Sequence, residues 1–504
     1  MTPTAELLTD QQQASTELTL MATTVLTIGE WLVKQQQQLK LAQRQLSEKQ
    51  QQIEALQNEN EQLKDSLQKL KNRSSENSSV PPSTDQLKKP TDKSKRKKGK
   101  KRGPKYDHPG KTRNGFGEPD RVEKLELESC PVCGADVDVV EDAPKKVIQV
   151  AELVDQPVEI REYHRHKYQC SECGWSGYAP MPPGVKEGFS YGARLCSVIG
   201  WLGYGGNLTW RKQEYFIEHV LGIPISQGSL AKMQRWFTES LEPSYEQWLA
   251  YVKEPGVRCV DETTYCIDGI KYWLWVATSL EVCILLLAPT RSSAEVKKLL
   301  GENFEGILSS DCFSAYNPMG AAAKQKCLTH LERDLKALYT SRFEGNRDFA
   351  HKVCNILYSA RCLHRNYHSG KMSLLELVLE RDKIESQLQA VLDDPPEKGF
   401  PADAQRLADR IKRHWHEWFT FLSHPQVKPD NNDAERALRP IVVHRKVSGG
   451  ARSDWGAQLV AQMFSFLETM RLQGNNAIAQ LCELLSLAGR SPPGLEFSSQ
   501  LESS

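Results

Sequence analysis

No apolar run in this 504-residue chain approaches the ~18 residues that a membrane-spanning helix needs. The best candidate, Val282–Pro289, is short and follows Glu281. The N-terminus lacks a basic stretch followed by an apolar one, so no secretory leader is expected there. The thirteen cysteines are therefore not expected to form a disulfide framework. Nine are scattered and read as small core residues, Cys196, Cys354 and Cys482 among them. Net charge is lacking too: 65 Lys+Arg oppose 64 Asp+Glu, which leaves +1. Taken alone, that balance argues against a nucleic-acid partner. Hydrophobic residues are 39% of the chain and mean hydropathy is −0.54, so a water-soluble, cytoplasmic protein with no membrane partner is expected. At roughly 150 residues per domain, about three domains fit the length.

The charge balance is a cancellation. Residues 88–105, KKPTDKSKRKKGKKRGPK, hold eleven Lys/Arg and one Asp, a local charge of +10 that leaves −9 on the rest. The run contains Pro and Gly and has no apolar periodicity, so it is expected to be disordered when free. It is either a solvated linker or a phosphate-binding tether. In the second case Lys95, Arg96, Lys97, Lys98, Lys100, Lys101, Arg102 and Lys105 release counterions from DNA, and binding is salt-sensitive.

Between residues 25 and 72 the chain follows a heptad. Val25, Leu32, Leu39, Leu46, Ile53, Asn60 and Leu67 recur every seven residues, and Ile28, Ala42, Leu56, Leu63 and Leu70 supply the second line of the seam. The seam is poor at Gln35 and Lys49. Asn60 at an a position favours a parallel dimer in one register. The alternative is a helix packed on its own body; the length favours self-association.

Two Cys-x-x-Cys pairs follow, CPVCG at 130–134 and CSECG at 170–174. Each offers two thiolates to one tetrahedral ion, and the Gly lets the backbone turn beneath it. Cys130, Cys133, Cys170 and Cys173 are the expected ligands of one structural zinc. The 36-residue spacer exceeds the ~15–20 usual for such sites. Its runs Lys146–Leu153 and Val158–Tyr163 are strand-like and predict a hairpin holding the knuckles together. From Tyr191 to about Val252 the pattern is helical. Gly222 suits a helix C′ position and Ser226 the next N-cap, which predicts either a DNA-reading helix-turn-helix or a helical hairpin that only packs.

Beyond Gly256 the chain reads strand, strand, strand, helix, strand. Val257–Val260 leads into Asp261. Gly269–Ser279 and Val282–Ala288 follow, then a helix over 294–301 capped by Ser292 or Ser293, then Gly306–Ser310 leading into Asp311. If the first and fourth strands lie side by side in an RNase H-like sheet, Asp261 and Asp311 share neighbouring strand ends. A third carboxylate would complete a site for two hard cations about 3.5–4 Å apart. Glu435 in NNDAERALRP is the candidate, in the first turn of a helix capped by Asn432 or Asp433. Arg436 and Arg439 would then stand near DNA, and Pro440 kinks or ends the helix.

These motifs resemble the transposases of bacterial insertion sequence 66. The resemblance runs over nearly the whole length and includes NSSVPPSTD at Asn77–Asp85 and GIPISQGSL after the second zinc pair. Its most specific parts are VDET at Val260–Thr263, SDCFSAY at Ser310–Tyr316, CLTHLERDL at Cys327–Leu335, NNDAERALRP at Asn431–Pro440 and RKVSGGARS at Arg445–Ser453. Cys312-Phe313 and Thr329 depart from the residues frequent in that family without removing a carboxylate. The resemblance implies that Asp261, Asp311 and Glu435 are a DDE triad holding two Mg²⁺ or Mn²⁺ for phosphoryl transfer. It implies an RNase H-like core with a long insertion, since 124 positions separate Asp311 from Glu435. Helical stretches at about 347–368, 373–392 and 402–423 predict an all-helical insertion. His330 and Arg333 would support the site, although a core His paired to an acid is equally open. Arg445, Lys446 and Arg452 would track the DNA backbone.

The expected class is thus multidomain α/β. The expected order is an N-terminal helix or coiled coil (1–74), a disordered basic linker (75–120), a zinc-ribbon-like module (121–182) and a helical domain (183–255). An RNase H-like catalytic domain (256–445, insertion about 336–428) and a C-terminal helical region (446–504) complete it. Expected partners are transposon-end and target DNA, a second copy of the chain, and accessory proteins of the same element. The protein would be nucleoid-associated when on DNA. Competing readings are a metal-dependent nuclease that does not join ends and a non-catalytic DNA-binding regulator.

Overall fold

A computed structural model describes residues 4–71, 118–123, 129, 131–136, 138, 147–151, 153–154, 157–397 and 399–487. The basic arm and Cys130 lie outside the described residues. The chain divides into two compact units, Met1–Leu87 with Leu328–Trp415, and Lys88–Cys327 with His416–Ser504.

Helix α1 runs unbroken from Thr4 to Lys71. Its seam residues Leu46, Ile53, Leu56, Leu63, Leu67 and Leu70 are all exposed. The contacts it makes come from its opposite face. Asp65, an f position, is buried, and its Oδ1 accepts from Ser341 Oγ at 2.9 Å and from Arg342 N at 2.6 Å. Lys69, a c position, pairs with Asp65 at 2.6 Å and also with Asp403.

A small antiparallel hairpin pairs β1 (Lys167–Gln169) with β2 (Ser176–Tyr178) around the second cysteine pair. The described residues of the two strand-like runs in the spacer belong to no strand. The hairpin forms instead at the residues flanking CSECG, where the knuckle itself supplies the turn. Three helices follow: α2 (Ala193–Tyr204), α3 (Trp210–Leu221) and α4 (Gln227–Tyr251). Gly222 ends α3 at φ 70°, a left-handed conformation that costs glycine least. Ser226 caps α4 by accepting from Ser229 N at 3.2 Å. Helix α4 runs on through Pro243 to Tyr251.

The sheet has five strands in the order β5-β4-β3-β6-β7. These are β3 (Val257–Ile267), β4 (Ile270–Thr278), β5 (Cys283–Ala288), then, after α5 (Ser293–Leu300), β6 (Asn303–Ser310) and β7 (Gly320–Lys326). β3, β4 and β5 are antiparallel neighbours, whereas β3, β6 and β7 run parallel. β3 is longer than Val257–Val260, because Thr263–Ile267 goes on pairing with β4. Asp268 and Gly269, at φ 46° and 80°, close that hairpin as the two-residue turn that Asp-Gly favours. Asp261 therefore lies within a strand and not at its end. Edge strand β5 is covered by a later helix. Ser465 Oγ accepts from Leu285 N at 2.8 Å, and Thr469 Oγ1 bonds both Cys283 N and Cys283 O at 3.1 Å.

After β7 the chain enters the other unit as α6 (Leu328–Leu338), α7 (Glu344–His368), α8 (Leu374–Asp393) and α9 (Ala402–Arg413). The segment is helical in its regular elements, but the third expected stretch, 402–423, ends at Arg413 and is followed only by a 3₁₀ turn (Trp415–Glu417) and a four-residue helix (Thr420–Ser423). Phe349, Val353, Leu357 and Ala360 of α7, with Leu377, Ile384 and Leu388 of α8, are buried, and Val391 is half-buried. Returning, the chain forms the short α10 (Thr420–Ser423), then α11 (Asn432–Ser448), α12 (Asp454–Leu472) and α13 (Ala477–Ser486). Pro440 lies inside α11 without ending it, and the helix stops at Gly449, φ 72°. Among the described residues, no helix is long and apolar enough to cross a membrane.

Candidate active site

β3 and β6 are bonded in parallel, with Cys259 opposite Ser309. Asp261 and Asp311 each lie two residues further on. Asp261 Oδ1 accepts from Glu262 N, and Asp311 Oδ1 from Phe313 N, both at 2.8 Å. Glu435 stands in the first turn of α11 and is half-buried. The cap is Asn431, one residue earlier than expected, and its side chain does not bond its own helix. It reaches β3 instead: Asn431 Nδ2 donates to Val260 O at 2.8 Å, and Asn431 N donates to Cys327 Sγ at 3.2 Å. The carbonyl it holds belongs to the residue before Asp261, so this stitch fixes the helix of Glu435 against the strand of Asp261. Burial pushes the Asp261 carboxyl up to about 8, and the negative charges of Glu262, Asp311 and Glu435 add to the rise.

Glu262, a fourth acid beside this cluster, is fully engaged. Its Oε2 accepts from Tyr316 OH and its Oε1 from Arg291 Nε at 2.8 Å and from Arg291 Nη2. Burial raises its carboxyl, while Tyr316 and Arg291 oppose that rise. Lys326, with no exposed surface, places Nζ 3.2 Å from Ser310 Oγ and 3.6 Å from Glu417 Oε2. Glu262, Tyr316, Lys326, Arg291 and Asn431 were not singled out from sequence. Glu262, Tyr316 and Asn431 sit inside quoted motifs, which was the available signal. Arg291 and Lys326 gave none.

Of the expected DNA-contacting residues on α11, Arg436, Arg439 and Lys446 are exposed. Arg436 Nη2 is held 2.5 Å from Asp433. Arg445 faces the other way: its Nη1 donates to Thr263 Oγ1 at 3.1 Å, to Thr264 Oγ1 at 2.7 Å and to Thr264 O. It ties α11 to β3, so that part of its guanidinium is committed to the fold. Arg452 is exposed. His330 and Arg333 are half-buried on α6, in the other unit.

At the cysteine pairs, Gly134 and Gly174 share φ 74°. Cys170 N donates to Trp175 O at 2.7 Å and Gly174 N to Cys170 O at 3.1 Å. Backbone N–H groups of Cys173 and Glu172 lower the Cys170 thiol. Cys133 and Cys173 are exposed and Cys170 is half-buried.

The architecture and this cluster define a mixed α/β protein with an acidic centre on parallel strands, backed by helices. The sequence model described as Transposase IS66 family matches residues 188–459, more than half of the chain, and the chain belongs to that family. Two relatives come from Sinorhizobium fredii (strain NBRC 101917 / NGR234). "Uncharacterized protein y4hP" is 23% identical over 422 residues, 73% of each chain. "Uncharacterized protein y4jD" is 20% identical over 397 residues, 73% of this chain and 76% of its own.

Proposed function

We propose that this protein is a DNA transposase that cleaves phosphodiesters at transposon ends and joins the freed 3′ end to target DNA. Asp261, Asp311 and Glu435 are its DDE triad, on a sheet of the RNase H-like kind. The observation that carries this reading is that Asp261 on β3 feels the negative charges of Asp311, at the end of β6, and of Glu435, on α11. Asp261 is held well above the ordinary carboxylate range. The strand order, with the first and fourth strands of the sheet adjacent and parallel, supports it too. So does the family to which the chain belongs.

The donor set fits hard divalent ions. It is all oxygen, and its like charges oppose one another until a cation is shared. Asp261, Asp311 and Glu435 would hold Mg²⁺ or Mn²⁺, two per site. The chemistry supplied by the bound ions is Lewis-acid activation of the attacking oxygen and neutralisation of charge at the leaving 3′ oxygen. The chain's own part is positioning. Backbone N–H groups of Glu262 and Phe313 orient two carboxylates, and the Asn431 stitch sets the third. No side-chain nucleophile is required.

Around this centre we assign one structural zinc to Cys130, Cys133, Cys170 and Cys173, with phosphate binding by residues 88–105 and by Arg436, Arg439 and Lys446. The domain order follows the boundaries read from sequence. A parallel dimer forms through α1, a role supported by an apolar seam left exposed while the opposite face is engaged. Asp261→Ala, Asp311→Ala and Glu435→Ala should each abolish Mg²⁺-dependent cleavage and joining of terminal DNA while DNA binding persists. Undiminished joining by any one variant ends the triad assignment. Cleavage without joining by the unaltered protein would make it a nuclease.

A further inference from the structure

Beside the acidic cluster stands a partly exposed cation, Arg291, that the proposed reaction has not used. Arg291 lies in the loop between β5 and α5. Its Nε and Nη2 both donate to Glu262 Oε1. Glu262 is buried, its side chain 1% exposed, while the side chain of Arg291 remains 39% exposed. The guanidinium carbon is 3.7 Å from the centroid of the Phe313 ring and 4.8 Å from that of Trp273. Two aromatic rings thus pack against the guanidinium group, and a carboxylate takes its Nε–Nη2 edge. The Nη1 edge makes no hydrogen bond with any described residue.

The anchors of this group also hold the candidate metal ligands. Glu262 gives its N–H to Asp261, and Phe313 gives its N–H to Asp311. The cation is therefore tethered one residue from the first aspartate and stacked on a residue two beyond the second. Three carboxylates would repel a phosphodiester; the Arg291–Glu262 pair adds no net charge beside them and offers instead a directed set of N–H donors. Its geometry selects the ligand. A planar guanidinium with one free edge matches two oxygens of a phosphate, and its contacts with Phe313, Trp273 and Glu262 hold it in place. The two oxygens of Glu262 are both in use, which separates this acid from the metal set.

We propose that Arg291 is a phosphate-binding residue that takes one phosphodiester of the DNA strand entering the acidic cluster. The inference rests on the transposase reading, and its test separates the two. The probe is a duplex of the DNA end flanking this reading frame, with single phosphates near the end replaced in turn by neutral methylphosphonates. Full-length protein binds it in Ca²⁺, where cleavage is suppressed, and nicks it in Mg²⁺. One replacement should weaken binding by the unaltered protein about tenfold, the value of one charge-assisted contact. In Arg291→Ala the all-phosphate duplex should bind about tenfold more weakly, and that replacement should cost nothing further. Arg291→Lys keeps the charge without the fork and should recover only part of the affinity. It also serves as the readout if the alanine variant does not fold. The same methylphosphonate pattern in variant and unaltered protein overturns the proposal, as does unchanged affinity in the variants. Failure of the unaltered protein to nick, with the Arg291-dependent binding pattern intact, counts against the cleavage reading alone.

Discussion

Asn431 is 1% exposed and joins three pieces of chain. It stands at the N-cap of α11, its Nδ2 donates to Val260 O, and its backbone N–H donates to Cys327 Sγ. Asn431→Ala strands a buried carbonyl and should cost roughly 1–3 kcal/mol in urea unfolding. End joining should fall by more than DNA binding does, because the helix of Glu435 loses its reference to β3. His444, further along the same helix, gives a pH prediction. Its ring stacks on Tyr204 at 5.5 Å and meets the edge of Phe464 at 5.3 Å. Burial lowers it to about 4. The unfolded imidazole titrates near 6.5, so between those values the unfolded chain binds the proton and the folded one does not. Stability is retained above about 6.5 and lost as pH falls toward 4, by an order-of-magnitude ~3 kcal/mol at most. His444→Phe should flatten that part of the stability–pH curve, measured by urea midpoints from pH 7 to pH 4.5.

At the scale of elements, α1 uses opposite faces for different purposes. Asp65 and Lys69 engage Ser341, Arg342 and Asp403, while Leu56, Leu63 and Leu70 stay exposed. Leu63→Asp should therefore reduce the mass measured by light scattering to that of a monomer and leave the Asp65 contacts in place. Asp65→Ala should do the reverse: the dimer persists, and hydrogen exchange quickens around Ser341–Phe343. The turn between α3 and α4 has its own test. Ser226→Ala removes the bond to Ser229 N and should cost about 1 kcal/mol.

For the whole molecule, the +1 net charge conceals the +10 of residues 88–105. DNA affinity should fall steeply with salt, and deletion of those residues should flatten the slope of log affinity against log salt. The carboxylate chemistry should survive the deletion, because no residue of the triad is removed. Purified protein should carry about one zinc per chain by elemental analysis, and Cys170→Ser should lose it. Zinc absent from both would remove the knuckle assignment.

Local sequence determined much of this protein. The heptad gave α1, Gly222 and Ser226 gave the break between α3 and α4, and apolar spacing gave α7 and α8, because period and cap chemistry are local properties. It also singled out the three proposed carboxylates, through short motifs around each. Other features needed partners distant in sequence. β7, GAAAKQK, has little strand propensity and forms because β6 offers it a bonded edge. The described residues of the strand-like runs between the two cysteine pairs found no such edge, and the hairpin formed around the second pair instead. Arg445, read as a DNA contact, turned toward β3, where two threonines could satisfy it. Arg291 became visible only when the folded sheet brought Glu262, Phe313 and Trp273 around it. A sequence states which groups are present and how they repeat; tertiary packing decides which of them are left with an unused edge beside the site.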